Sequence, residues 1–147
     1  MLNAILAAAA LATAASPAIA RNDDVRPMSN EAVAESRPMV DGFFQTLKAG
    51  DSAKAYADLF DGTLMATKTM EIQNLIAQTN FIFQTYGSIT HWSLVKSDCI
   101  SPNLCQTTYQ VDTNNGPVIM LLTLYRRPSG WMPTTIYITD VTQGLFN

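Results

Sequence analysis

Apolar residues recur along this chain with two different periods, and the change falls at Gly87. Before it the spacing is helical. Val40, Phe43, Phe44 and Leu47 stand at i, i+3, i+4 and i+7, which predicts a helix entered at Pro38, a favourable first-turn residue, and closed at Gly50. Ala53, Tyr56, Ala57 and Phe60 repeat the pattern behind a cap at Asp51 or Ser52 and stop at Asp61-Gly62. A third and longer stripe, Ile72, Leu75, Ile76, Thr79, Phe83 and Tyr86, has Thr67 or Thr69 as its cap and Gly87 as its end. From Thr69 to Tyr86 that helix spans about 27 Å. Beyond Gly87 the pattern is that of strands, predicted at Ile89–Lys96, Gln106–Asp112, Val118–Arg126 and Trp131–Val141. Asn114-Asn115-Gly116-Pro117 and Pro128-Ser129-Gly130 supply turn chemistry for two antiparallel connections. The run Val118 to Tyr125 is apolar on both faces and is therefore placed inside the sheet.

The first twenty residues obey neither period. They carry no charged side chain, are dominated by Ala4 to Ala12, and pass through Ser16-Pro17-Ala18-Ile19-Ala20 into the polar Arg21-Asn22-Asp23-Asp24. Small residues three and one before that switch mark residues 1–20 as a secretory signal peptide cleaved after Ala20. Residues 21–36 read as a flexible linker with a short helix near Asn30–Ser36, and 37–147 as one domain. The expected location is the periplasm or the exterior, with no membrane association once the leader is gone.

Composition narrows the function. Of the 147 residues, 48% are hydrophobic and 14% charged, with a net charge of −3, so there is material for a core and no basic face for nucleic acid. Cys99 and Cys105 flank Ile100-Ser101-Pro102-Asn103-Leu104 between two strand-like runs, which favours a structural disulfide over a metal pair, a redox pair or two free thiols. His91 is the one histidine of the chain, which leaves a metal site short of ligands, and the sequence predicts neither metal nor cofactor. Gly-x-Ser-x-Gly, phosphate-binding glycine loops and calcium loops are absent from the sequence. Asp58 and Asp112 read as solvated carboxylates, His91 as a structural or surface residue, and Arg126-Arg127 as a solvated hairpin end.

Three helices followed by four antiparallel strands give an α+β layout with the helices on one face of a curved sheet. Phe43-Phe44-Gln45-Thr46-Leu47-Lys48-Ala49-Gly50-Asp51, then Ala55-Tyr56-Ala57-Asp58-Leu59-Phe60, the long helix ending in Tyr86-Gly87 and the strand opened by Gly130-Trp131 together resemble the nuclear transport factor 2-like superfamily, a cystatin-like cone, and within it the small secreted bacterial members of unknown function. The resemblance spans most of residues 38–141. It implies a sheet wrapped around an apolar cavity that serves relatives as active site, ligand pocket or plain core, and dimers formed through the outer sheet face. No catalytic residue carries over, because Asp61-Gly62-Thr63-Leu64-Met65-Ala66 lacks the acidic pair that bears the base in the isomerase branch. The sequence thus predicts a non-catalytic exported protein that binds a small apolar ligand, with Tyr56, Phe60, Leu75, Phe83, Met120 and Tyr137 as candidate cavity walls. The same six residues equally describe a closed core. The alternatives are an envelope accessory module that forms a homodimer through the sheet, and an isomerase or dehydratase built on a buried carboxylate.

Overall fold

Ser29 sets where the first helix begins. Its backbone is extended (φ −63°, ψ 150°) and its side chain accepts from the Ala32 amide, so α1 runs Asn30–Lys48, with Glu31 in the first turn and Lys48 in the last, both favourable to the helix dipole. The computed structural model describes residues 24–146, and the leader assigned to 1–20 lies outside the described residues. Pro38 is inside α1 rather than at its start. The short helix expected near Asn30–Ser36 and the helix expected from Pro38 are therefore one, and the linker assigned to 21–36 gives way to helix at Asn30. Pro38 lacks the amide that would bond back to the preceding turn; the cap and the buried stripe Ala32, Ser36, Val40, Phe43, Phe44 and Leu47 hold the helix through it.

Asp51 accepts from the Lys54 amide at 2.9 Å and caps α2, Ser52–Phe60. Its buried residues are Ser52, Ala55, Tyr56, Leu59 and Phe60, so Ala53 and Ala57 of the predicted stripe face out while Ala55 and Leu59 face in. A 3-10 turn, Leu64–Thr67, leads to α3, Thr69–Tyr86. Neither threonine caps α3: Thr67 donates to Leu64 O within the 3-10 turn, and Lys68 holds the cap position without a side-chain bond. Gly87 closes α3 at φ +89°, a conformation that favours glycine, and its amide donates to Phe83 O.

The sheet has five strands rather than the predicted four: β1 (Arg26–Pro27), β2 (Ile89–Ser101), β3 (Leu104–Thr113), β4 (Gly116–Arg127) and β5 (Gly130–Thr139), antiparallel in that order. The unforeseen β1 is two residues long and carries Pro27, which is tolerated on an edge strand because one side of such a strand has no neighbour for an amide to bond. Register shifts between Ile89 and His91 and between Leu94 and Lys96 let β2 continue to Ser101 rather than end at Lys96, while β5 stops at Thr139 short of Val141. β4 is flanked on both sides, as its double apolarity predicts.

One face of the sheet carries Thr107, Tyr109 and Val111 from β3, Val118, Met120, Leu122 and Leu124 from β4, and Ile136 and Ile138 from β5, all buried in one core with the helices. Phe44 is its centre: its ring lies 5.5 Å from Trp92 and 5.3 Å from Tyr109, and Phe43 reaches Tyr56 at 5.2 Å. Polar ties fix the helices over this layer. Trp92 Nε1 donates to Asp41 of α1 at 2.9 Å, and Tyr86 of α3 donates to Asp140 at 2.8 Å.

Candidate functional site

The six residues expected to wall a cavity do not share one environment. Tyr56, Phe60 and Met120 are fully buried in the continuous core. Leu75 and Phe83 lie half-buried on α3, packed against that core. Tyr137 is 60% exposed, because its neighbours Ile136 and Ile138 point inward and alternation along β5 turns Tyr137 to the opposite face. The Tyr56 hydroxyl is paired with Thr79 Oγ1 at 2.7 Å, and burial pushes the phenol up to about 12, so near neutral pH it is a fixed hydrogen-bonding group. None of the six lines the clefts described below.

Of the other residues weighed from sequence, Asp58 and His91 are exposed and Asp112 is half-buried. Asp58 accepts from Lys54 one turn away on α2, and that bond raises the lysine. His91 is exposed on β2 opposite Asp112 of β3, whose carboxylate takes a bond from Gln110 Nε2 at 2.7 Å. Among the described residues, no three of His, Cys, Asp and Glu gather as a metal site, and no helix is long and apolar enough to cross a membrane.

The concavity lies at the other end of the sheet. Cys99 and Cys105 form a disulfide between directly opposed positions of β2 and β3, their Cα atoms 3.9 Å apart, just before the hairpin turns at Pro102-Asn103. β1 pairs onto this end, Arg26 against Cys99 and Pro27 against Asp98, and Met28 N donates to Ser97 O before Ser29 caps α1. Between β1, the start of α1, the β2–β3 hairpin and the β4–β5 hairpin is a cleft of about 740 Å³. Its apolar lining comes from Val25, Pro27, Ile100, Pro102, the disulfide and Trp131. A smaller cleft of about 540 Å³ adjoins it across Val25, Ile100 and Cys105.

Three side chains fix one wall. Arg126 and Trp131 are opposed across the β4–β5 hairpin, closed by Pro128-Ser129 and by Gly130 at φ +115°. The Arg126 guanidinium carbon sits 5.7 Å from the centre of the indole. Glu35, on the second turn of α1, takes bonds from both: Arg126 Nη2 to Oε1 at 3.1 Å and Trp131 Nε1 to Oε2 at 3.1 Å. The carboxylate thus holds the indole in a set orientation while a cation covers part of its surface. Such an arrangement can receive a flat or apolar group against the indole.

Comparison with known proteins finds no family model that matches the chain, no match among curated proteins and no match among solved structures. The cleft is thus characterised by its own geometry. Pattern alone singles out none of the three: Glu35 falls in the segment expected as linker, Arg126 in a solvated hairpin end, and Trp131 at the opening of a strand. A signal existed for two of them: once Arg127 and Gly130 flank a two-residue turn, Arg126 and Trp131 must be the next cross-strand pair.

Proposed function

We propose that this protein is an exported, non-catalytic binding protein of the nuclear transport factor 2-like kind, and that its ligand, a small molecule with an apolar body, is taken at the disulfide end of the sheet rather than among Tyr56, Phe60 and Met120. The observation that carries the reading is the cleft of about 740 Å³ whose wall is an indole held by Glu35 and partly covered by Arg126. Its size lies within the range of about 300–1,000 Å³ usual for small-molecule sites. Export is supported by the apolar residues 1–20 and by the disulfide, which persists in oxidising compartments. The cone assignment is supported by three helices on one face of an antiparallel sheet whose strands carry bulges. Native mass spectrometry of the protein purified from its own secretory compartment tests the reading: a bound small molecule that disappears in Trp131→Ala supports it, and a protein that is empty in every preparation refutes it. A second reading, association through the helix-free sheet face, is favoured by the exposure of Tyr125 and Tyr137 there.

A further inference from the structure

The cleft at the disulfide end has charged walls as well as apolar ones, and one of its charges is unanswered. Among the described residues, Arg37 pairs with Asp41, Arg126 pairs with Glu35, and Arg127 donates to Gly62 O. Arg26 differs from all three: exposed on β1, it has no ion-pair partner and no side-chain hydrogen bond among the described residues. Backbone register sets where its guanidinium stands. Arg26 lies directly opposite Cys99, and directly opposed residues project to the same face. Its side chain therefore leaves β1 on the side of the disulfide, in the cleft that both residues line.

The other polar side chains of the lining add donors. Ser29 Oγ accepts from the Ala32 amide and Ser101 Oγ from the Asn103 amide, which leaves each hydroxyl its O–H to donate. Asp24 is the one carboxylate of the lining. A cationic ligand would meet two guanidiniums for that single carboxylate, and Arg126 already covers the indole. One unanswered guanidinium calls for one negative charge, and its planar fork matches the two oxygens of a carboxylate. Between Arg26 on the β1 wall and Trp131 on the β4–β5 hairpin lie the disulfide, Ile100 and Pro102, which offer an apolar path. We propose that the ligand of this cleft is an amphiphilic monocarboxylate whose carboxylate is received by Arg26 and whose apolar body lies along the disulfide towards Trp131. The inference rests on the cleft being the ligand site and adds the charge and chemical class of what enters it.

The test compares three probes of one shape, 2-naphthoate, 2-naphthamide and 2-naphthylmethylamine, by amide NMR titration of residues 21–147 at neutral pH and low ionic strength. Naphthoate is expected to bind about three- to tenfold tighter than the amide, with the amine weakest, and added salt to erode that advantage. Arg26→Gln should abolish the preference while leaving naphthamide affinity unchanged. Asp24→Asn should widen it, and Trp131→Ala should weaken the naphthoate and the naphthamide alike. Both substituted charges are exposed, so the fold is not at stake. Equal binding of naphthoate and naphthamide, a preference that survives Arg26→Gln, or tightest binding of the amine overturns the carboxylate proposal, and the cleft reading stands if Trp131→Ala still weakens the probes. Absence of binding by every probe, or binding indifferent to Trp131→Ala, overturns the cleft reading and this inference with it.

Discussion

The interior beneath α1 and α2 and the disulfide end of the sheet use the same kinds of side chain to opposite effect. Under the helices, Phe43, Phe44, Tyr56 and Phe60 meet Tyr109 and Met120 from the sheet, and every one is buried. At the disulfide end, Trp131, Ile100, Pro102 and Val25 surround open space. The difference is geometric. A 19-residue helix lies over the middle of the sheet, whereas the far end is crossed by only the two residues of β1 and the first turns of α1. Aromatic content therefore identifies neither region as a binding site; what covers the residues does.

The largest expected effect lies in the closed region. Phe44→Ala removes the ring shared by Trp92 and Tyr109 and should cost about 3–5 kcal/mol, read by urea denaturation, while whatever folded protein remains keeps its cleft. Breaking the Cys99–Cys105 bond by Ala at both positions should cost about 2 kcal/mol by loop-closure arithmetic, and it should also weaken ligand binding because β1 hangs on Cys99. An unchanged ligand affinity in that variant would separate the cleft from the disulfide.

Tyr56 gives the closed region a pH signature of similar size. Its folded value of about 12 stands above the unfolded value of 10.0, so its contribution is complete below pH 10 and is lost as pH rises from 10 through 12. The loss amounts to about 2–3 kcal/mol. Tyr56→Phe should flatten that part of the stability–pH curve, at a cost near neutral pH of about 1–2 kcal/mol for the orphaned Thr79 hydroxyl. Equal slopes in the two proteins would show that Tyr56 is not the group responsible. The smallest stability effect belongs to the cleft. Glu35→Gln loosens a half-exposed ion pair and should cost less than about 1 kcal/mol, yet ligand affinity should fall several-fold as the indole loses its fixed orientation. Isothermal calorimetry separates the two quantities.

Much of the fold is written in local pattern. Val40, Phe43, Phe44 and Leu47 announce α1, the period change at Gly87 announces the sheet, and the two cysteines announce their bond. The start of α1 was obscured because Pro38 is a strong local signal, whereas Ser29 acts through one hydrogen bond to Ala32. The stripe of α2 differs from its pattern because Ala53, Ala55 and Ala57 are chemically alike and only packing chooses Ala55. The cleft was least legible. Glu35 meets Arg126 across 91 residues and Trp131 across 96, a coincidence set by where α1 begins over the sheet. Tyr137, expected at a cavity wall, is turned outward by strand alternation, between the inward Ile136 and Ile138.

The most direct measurement is a two-dimensional amide NMR titration of residues 21–147 with 8-anilinonaphthalene-1-sulfonate, an apolar aromatic probe carrying one anionic group. Saturable shifts confined to Val25, Cys99 to Ser101, Arg126 and Trp131, with the Trp92 indole unmoved, are the result expected of a ligand site at the disulfide end. Shifts centred on Tyr56, Leu75, Phe83 and Met120, or no saturable shifts at all, would contradict it.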